Sequence, residues 1–282
     1  MREVIIISGP TAAGKSAKAL SFARELNAEI ISCDSIQVYK HMDIGSAKAS
    51  AQELADVPHH LINVCEPSVQ YSVDAYIKDA KKALAEISKR GKNVIVVGGS
   101  GFYLKAWFSA VTDEIFIPQT LKSEIEKLSE AEALEKLLQK DSRAAEFIDI
   151  QNPRRIRPAL ERVTASGLSL KELAEKFATL PCPLGDFPKK LELVDLPDEE
   201  LFAKAKLRAE KMIADGLIDE TEKLLEIGIE KNPSAAMAIG YRETIAAIKT
   251  NDFSNLGNDI YKNTVSLIKK QRKFFRNTLF KR

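Results

Sequence analysis

The sequence Gly9-Pro-Thr-Ala-Ala-Gly-Lys-Ser16 lies between a hydrophobic run, Val4-Ile-Ile-Ile7, and a stretch with helical periodicity, Ala17–Leu26. This is a phosphate-binding loop, or P-loop, in the strand–loop–helix context that the motif requires. Its glycines let successive backbone N–H groups point at phosphate oxygens, and the following helix adds the positive end of its dipole. The pattern predicts a site for a di- or triphosphate-like group. The alternative is a glycine-rich turn without a ligand.

Two side chains complete this loop. Lys15 can reach the terminal phosphates, and Ser16 can supply a hydroxyl group to a Mg²⁺ ion held by those phosphates. Mg²⁺ is therefore the expected cofactor. The predicted diphosphate site consists of Gly9, Pro10, Thr11, Ala12, Ala13, Gly14, Lys15 and Ser16.

The bulk composition excludes several classes of protein. With 282 residues, 45% of them hydrophobic and 29% charged, the chain fits one large domain or a core domain with an insertion. A net charge of +2 means that a nucleic-acid surface must come from local clusters of cations. We expect no secretory signal and no membrane span, because no apolar run approaches the ~20 residues that a span requires. Cys33, Cys65 and Cys182 form no CxxC pair, which favours the cytoplasm and argues against structural zinc.

Short apolar runs alternate with amphipathic stretches over the first hundred residues. This alternation predicts an α/β fold with a parallel sheet covered by helices on both faces, similar to P-loop NTPases. The predicted strands are Val4–Ser8, Glu29–Cys33, Asn93–Val97 and, more weakly, Leu61–Val64, and the predicted helices are Lys15–Leu26 and Val73–Lys89.

A change of pattern in the middle of the chain indicates an insertion. From Lys122 to about Leu180 the sequence has helical patterns and no strand candidate. Leu191–Leu196 then predicts a further strand of the core, and Pro197-Asp-Glu199 predicts the start of a long helix that ends near Ala214. The sequence thus predicts three ranges: a first part of the P-loop core (1–112), an all-helical insertion (113–188), and a completion of the core with basic C-terminal helices (189–282).

Asp34 directly follows the second predicted strand. Because the carboxyl ends of parallel strands line the ligand crevice, we expect Asp34 near the P-loop, where it could bind Mg²⁺ or accept a proton. The alternative is a helix N-cap.

The strand Asn93–Val97 ends in Gly98-Gly-Ser-Gly101 rather than in an acidic residue. P-loop ATPases usually carry a Mg²⁺-binding acid at such a position, which argues against a motor or a switch. Gly98 and Gly99 could admit a ligand, with Ser100 offering a hydroxyl beside it, or could serve only strand-to-helix packing. Arg208, one turn after Lys204, could reach back to phosphates, although most helix cations are only solvated. His59 and His60 have no nearby ligand partners, so we expect a loop or core role rather than a metal site.

The segment from Ile260 to Arg282 has no acidic residue and predicts contact with nucleic-acid phosphates. The alternative is a solvated helix whose phenylalanines, Phe274, Phe275 and Phe280, pack on the core. Its cations are Lys262, Lys269, Lys270, Arg272, Lys273, Arg276, Lys281 and Arg282.

Together these motifs resemble those of the bacterial tRNA dimethylallyltransferase (tRNA isopentenyltransferase) family, in order and over nearly the whole chain. The matching stretches are Gly9–Ser16, Asp34-Ser-Ile-Gln-Val-Tyr39, Met42-Asp-Ile-Gly45, Pro58-His-His-Leu61, Tyr71-Ser72, Val97-Gly-Gly-Ser-Gly-Phe-Tyr103, Asn152-Pro153, Arg155-Ile156, Ala159-Leu-Glu161, Gly216, Ile239-Gly-Tyr-Arg-Glu243 and Lys269-Lys-Gln271.

The resemblance implies transfer of a dimethylallyl group from dimethylallyl diphosphate to N6 of the adenine 3′-adjacent to the tRNA anticodon. In this family the P-loop would hold the diphosphate and Mg²⁺ would neutralise the leaving group. Asp34 takes the position of the base near N6, Ser100 stands where the family usually has threonine, and Arg208 matches an arginine on the phosphate side. The family is usually monomeric.

The resemblance also implies a set of tRNA contacts to a flipped adenosine and the anticodon stem-loop. The helical insertion would hold the stem-loop together with the basic C-terminal segment. Pro158 replaces a family arginine, and Ala49 and the Thr264-Val-Ser266 stretch also depart from the family pattern. The implied tRNA-binding residues are Asp34, Ser35, Ile36, Gln37, Ser100, Lys122, Lys269, Lys270, Gln271 and Arg272.

Three other functions fit parts of the sequence. A small-molecule kinase would use ATP in the P-loop and needs no basic C-terminal helix. A free-nucleotide isopentenyltransferase would need neither the insertion nor the basic segment. A P-loop RNA-binding module would leave Asp34 without a purpose.

Overall fold

A parallel sheet forms the centre of the protein. The computed structural model describes residues 3–113 and 115–279. In this part of the chain the strand order is β3-β2-β4-β1-β5, and every neighbouring pair is parallel. All five carboxyl ends therefore meet at one edge, where the loops of the site begin. The strands are β1 (Val4–Ser8), β2 (Ala28–Ser32), β3 (His59–His60), β4 (Asn93–Gly98) and β5 (Lys189–Leu193).

The central strands are buried. β1 pairs with β4 in the register Ile5↔Ile95 and Ile6↔Val96. Ile6, Ile95 and Val96 are fully inaccessible to solvent. A strand covered on both faces has to be apolar almost throughout, which is why β1 and β4 read as continuous hydrophobic runs.

The chain divides into two compact units. The first comprises Met1–Phe108 and Pro183–Arg282, and the second comprises Ser109–Cys182. The helices that accompany strands β1–β4 in the first unit are α1 (Lys15–Glu25), α2 (Ala51–Asp56), α3 (Val73–Lys89) and α4 (Gly101–Lys105).

All the regular structure among the described residues of the second unit is helical. Its own core includes Leu137, Leu160 and Leu173. Pro158 lies inside the longest of its helices, which nevertheless continues to Ser166. The helices are α5 (Gln119–Glu126), α6 (Glu130–Lys140), α7 (Ala144–Phe147), α8 (Pro153–Ser166) and α9 (Leu170–Ala178).

The first unit resumes with β5 and a series of helices. A 3₁₀ turn covers Ile229–Lys231, and the last helix widens into a π-helical turn over Phe275–Leu279. The α-helices are α10 (Asp198–Ala214), α11 (Leu217–Glu226), α12 (Pro233–Ala236), α13 (Tyr241–Thr250) and α14 (Leu256–Phe274).

The predicted α/β class with a parallel sheet is confirmed, but two strand predictions need correction. The strand predicted at Leu61–Val64 is wrong, because Leu61 and Asn63 have φ angles of 62° and 57°, which no strand accommodates. The pairing residues are instead His59 and His60, just before it. The strand predicted at Leu191–Leu196 begins and ends earlier, as β5.

His59 and His60 form the edge strand β3 of the sheet. His60 Nε2 lies 2.7 Å from a carboxylate oxygen of Glu29, which Arg90 also binds. Among the described residues no group of three or more His, Cys, Asp or Glu side chains could hold a metal ion. The described helices also include none with the length and apolarity to cross a membrane.

Candidate active site

The P-loop connects the carboxyl end of β1 to the start of α1. Gly9 has φ 152°, and a Cβ atom there would lie 1.9 Å from the carbonyl oxygen of Val194. Gly14 has φ 88° and directly precedes α1. Both positions require glycine, because a side chain would clash at the first and strain the backbone at the second. The loop is thus built by its glycines, as the motif predicts.

Lys15 is held against the loop that it belongs to. Its ammonium group donates a hydrogen bond of 2.7 Å to the carbonyl oxygen of Pro10. Burial lowers the pKa of Lys15 to about 8, the nearby Asp34 carboxylate raises it, and Arg208 lowers it further. A half-buried cation whose one hydrogen bond within the described residues goes to a backbone carbonyl favours the binding of an anion.

Ser16 follows Lys15 at the start of α1 and is exposed. Its hydroxyl makes no hydrogen bond to any residue that the structure describes. A hydroxyl group so placed fits a Mg²⁺ ion that takes its other ligands from phosphate oxygens and water.

Asp34 has one structural oxygen and one open oxygen. Its Oδ1 accepts hydrogen bonds from the backbone N–H groups of Ile36, at 2.8 Å, and Gln37, at 3.3 Å. Oδ2 has no hydrogen-bond donor among the described residues. Asp34 therefore caps a turn, not a helix, and the same carboxylate can still accept a proton.

Ser100 joins the turn after β4 to the loop after β2. Its Oγ accepts a hydrogen bond of 2.9 Å from the backbone N–H of Ser35 and lies 3.2 Å from Ser35 Oγ. This bond places the Ser100 hydroxyl beside the loop that carries Asp34. Asp34 and Ser100, both predicted to be catalytic, thus lie in two loops that are in direct contact.

Gly98 and Gly99 are required for packing within the protein. A Cβ on Gly98 would lie 2.0 Å from the carbonyl oxygen of Cys33, and one on Gly99 would lie 2.8 Å from Nε2 of Gln271. Close approach of other protein groups therefore accounts for both glycines.

Arg208 reaches the P-loop from α10. Its guanidinium donates to Thr11 Oγ1 at 3.2 Å and to the carbonyl oxygen of Ser46 at 3.5 Å. Burial lowers the pKa of Arg208, and the Asp34 carboxylate opposes this effect. Arg208 thus contacts the P-loop, whereas Lys204, one turn earlier, is exposed.

The basic C-terminal segment, which begins at Ile260, has polar side chains of two kinds: some are exposed to solvent, and others bind groups of the protein. Lys269, Lys270 and Lys273 are exposed. Gln271 and Arg272 instead bind groups of the protein: Gln271 contacts the P-loop, and Arg272 forms ion pairs with Asp195 and Asp198.

The phenylalanines of this segment pack inward where they are described. Phe275 is buried, and a Cβ on Gly101 would lie 3.1 Å from the Phe274 ring. The segment therefore combines exposed cations with an apolar inner side. Phe280, Lys281 and Arg282 lie outside the described residues.

The remaining predicted tRNA contacts lie in two places. Ser35, Ile36 and Gln37 follow Asp34 and are half-buried, and the side-chain Oε1 of Gln37 accepts a hydrogen bond from Ser32 Oγ at 3.1 Å. Lys122 is half-buried on α5 in the second unit. Their contact with tRNA stays a prediction.

Sequence reasoning missed Glu220, which organises the loop after Tyr39. The carboxylate accepts hydrogen bonds from the backbone N–H groups of Asp43, Ile44 and Gly45 and from the hydroxyl of Tyr241. The motif residues Gly45 and Tyr241 could have signalled the contact, because a Cβ on Gly45 would lie 2.6 Å from the Tyr241 ring. Nothing local pointed to Glu220 itself.

Comparison with known proteins gives consistent matches. A family model described as IPP transferase matches residues 37–278. A tRNA dimethylallyltransferase of Opitutus terrae is 44% identical over 275 residues, which cover 97% of this chain and 90% of the relative. The crystal structure of a tRNA isopentenylpyrophosphate transferase from Staphylococcus epidermidis is 30% identical with a TM-score of 0.69, covering 99% of this chain and 91% of that chain. A eukaryotic dimethylallyltransferase acting on tRNA is 25% identical with a TM-score of 0.84, covering 98% of this chain and 70% of that chain.

Proposed function

The chain belongs to the IPP transferase family, as its motifs predict, and we propose that it is a tRNA dimethylallyltransferase. It transfers the dimethylallyl group of dimethylallyl diphosphate to N6 of the adenine 3′-adjacent to the anticodon and releases diphosphate. The observation that carries this proposal is geometric: Lys15 and Arg208 both contact the P-loop, and the Asp34 carboxylate uses only one of its two oxygens to hold its own turn.

The donor diphosphate binds in the P-loop. Backbone N–H groups of the loop and the start of α1 donate to its oxygens, and Lys15 and Arg208 supply positive charge. Both cations are partly desolvated before the ligand arrives, so water screens their charge less than it screens a cation on the surface. They stabilise the negative charge that grows on the diphosphate as the bond to the allylic carbon breaks.

Mg²⁺ fits the diphosphate side of this site. The exposed Ser16 hydroxyl would hold the ion together with oxygens of the substrate, and the ion would add charge neutralisation at the leaving group.

Asp34 acts on the acceptor adenine. The lone pair of N6 forms the new C–N bond to the allylic carbon, the C–O bond to diphosphate breaks, and diphosphate leaves with that electron pair. N6 loses a proton to the open oxygen of Asp34, which passes it to solvent. The other carboxylate oxygen stays bound to the backbone of Ile36 and holds the base in place.

The tRNA binds through its phosphates and an extruded base. The adenine leaves its stack in order to reach Asp34. The exposed lysines of α14 contact the phosphate backbone, with Lys122 and the helical unit holding the anticodon stem-loop. Because P-loop, base and Arg208 come from one chain, we propose a monomer, and we place it in the cytoplasm with its tRNA substrate.

Product analysis tests this function. Unmodified tRNA is incubated with the protein, dimethylallyl diphosphate and Mg²⁺, digested to nucleosides and analysed by mass spectrometry. We expect one adenosine per tRNA, 3′-adjacent to the anticodon, to gain the mass of the dimethylallyl group. A tRNA with guanosine at that position serves as the matched control. Equal modification of both tRNAs, or of neither, would contradict the proposed function.

A further inference from the structure

The side-chain amide of Gln271 bridges two loops of the active site. Its Oε1 accepts a hydrogen bond of 2.8 Å from the backbone N–H of Thr11 in the P-loop. Its Nε2 donates a hydrogen bond of 3.2 Å to the carbonyl oxygen of Gly99, in the turn that carries Ser100. Both ends of the amide are therefore engaged by protein groups.

The bridge is closely fitted. A Cβ on Gly99 would lie 2.8 Å from Nε2 of Gln271 and 3.0 Å from the carbonyl oxygen of Gly9. Glycine at position 99 thus leaves the space that the amide occupies. Any larger residue there has to displace the amide or the P-loop backbone.

The neighbouring residue anchors the helix that carries Gln271. Arg272 donates to the Asp195 carboxylate at 2.9 Å and to the carbonyl oxygen of Leu196 at 2.5 Å, and it also pairs with Asp198. These groups belong to the loop after β5 and the start of α10. Two consecutive residues of α14 therefore join the loops that follow β1, β4 and β5.

We propose that Gln271 is a positioning residue of the donor site, which holds the P-loop in register with the turn that carries Ser100, and that it is not a tRNA contact. This inference rests on the proposed function for the identity of the donor. It replaces the role that the family resemblance implies for Gln271.

The bridge has a consequence for the acceptor side. The turn held by Gln271 at Gly99 continues into Ser100, whose hydroxyl binds the backbone of Ser35 beside Asp34. The side-chain amide of Gln271 thus links the P-loop, through the turn at Gly99 and Ser100, to the loop that carries Asp34. A preformed link means that less ordering has to accompany donor binding, which raises donor affinity.

The test compares donor binding with tRNA binding in the variant Gln271→Met, which keeps the length of the side chain and removes both hydrogen bonds. We expect the KM for dimethylallyl diphosphate and the Kd for inorganic diphosphate with Mg²⁺ to rise about tenfold, because each neutral hydrogen bond contributes roughly a factor of two to ten. The Kd for tRNA should change less than about twofold, and the Thr11 amide should exchange its hydrogen faster. The exposed Gln52 supplies the matched control, Gln52→Met, which should change none of these quantities.

The opposite pattern would overturn the inference. If Gln271→Met weakens tRNA binding and leaves donor KM and diphosphate Kd unchanged, Gln271 is a tRNA contact. The variant Gly99→Ala gives a second test and leaves the sequence of α14 unchanged. Its methyl group would lie 2.8 Å from Nε2 of Gln271, so it displaces the side-chain amide. It should also raise the Kd for inorganic diphosphate, and an unchanged value would contradict the bridge.

Failure of the proposed function gives a different result. Calorimetric binding of inorganic diphosphate and amide exchange at Thr11 need no prenyl transfer. A wild-type protein that transfers no prenyl group would refute the proposed function, while these two measurements would still decide the role of Gln271.

Discussion

The P-loop and the outer side of α14 both carry cations, but in opposite surroundings. Lys15 and Arg208 bind loop groups at 2.7 and 3.2 Å, and burial lowers the pKa of each. Lys269 and Lys270 are exposed, and neither pairs with an acidic residue in the described part of the chain.

This difference assigns the two regions different tasks. Half-buried cations such as Lys15 and Arg208 lose part of their water on folding and act more strongly than exposed ones on a small anion at a fixed place. Exposed cations act on a polyanion through counterion release, so their contribution falls as salt rises. Changes at the P-loop should therefore affect donor binding with little dependence on salt, whereas changes on α14 should affect tRNA binding and its salt dependence.

The largest effect is expected at Asp34, the proposed base. Asp34→Ala should lower the single-turnover rate by about 10²- to 10⁴-fold, because the base is lost, with tRNA affinity much less affected. The matched variant Asp34→Asn keeps an oxygen that accepts from Ile36 and removes only the base. It should be nearly as slow as Asp34→Ala. A near-normal rate in Asp34→Asn would assign this residue to the turn alone.

The next effect is expected at Lys15. Lys15→Met should weaken binding of inorganic diphosphate by about 10- to 100-fold, the usual range for loss of a charge-assisted hydrogen bond. The loss should be similar at low and high salt, as measured by calorimetry at two KCl concentrations. If this loss of affinity depended strongly on salt, Lys15 would behave like the exposed lysines of α14. The proposed difference between the P-loop and α14 would then be contradicted.

A pH effect should accompany this result. The pKa of Lys15 is about 8 in the free protein, and a bound diphosphate favours the charged ammonium group. Diphosphate affinity should therefore be complete below about pH 8 and fall as the pH rises above it. In Lys15→Arg the side chain stays charged, so the affinity for diphosphate should not fall as the pH rises. The same loss of affinity in the variant and in the wild-type protein would exclude Lys15 as its cause.

The smallest effect is expected on α14. Replacing Lys269 and Lys270 by glutamine should weaken tRNA binding a few-fold and reduce the slope of log Kd against log salt by about 1.4, or 0.7 for each lost cation. Arg272→Gln should change this slope much less, because Asp195 and Asp198 already neutralise the arginine. Filter binding at several salt concentrations measures both. Equal changes in slope would show that Arg272 also contacts phosphate.

The elements that could be predicted from the sequence have local signals. Helix α3 spans Val73–Lys89 as predicted, because its apolar residues recur with helical period and Ser72 caps its start. Strands β1 and β4 are long apolar runs. Strand β3 has only two residues, both histidines, and carries no such signal.

The same distinction holds within the site. The P-loop is a continuous motif, and Asp34 and Ser100 each lie two residues after the end of a strand, β2 and β4, so their place at the carboxyl edge of the sheet could be predicted. The contact of Gln271 with Thr11 joins residues 260 positions apart, and that of Glu220 with Ile44 joins residues 176 positions apart. Such contacts depend on how the helices fold back onto the sheet, which spacing alone does not specify.

One measurement tests the central claim that a P-loop here holds a prenyl diphosphate for transfer to tRNA. Labelled dimethylallyl diphosphate and Mg²⁺ are given to the wild-type protein with unmodified tRNA, AMP, ADP and ATP in one reaction. We predict that the label enters tRNA alone and that ATP is not consumed. Label in a free nucleotide, or consumption of ATP without prenyl transfer, would contradict the claim.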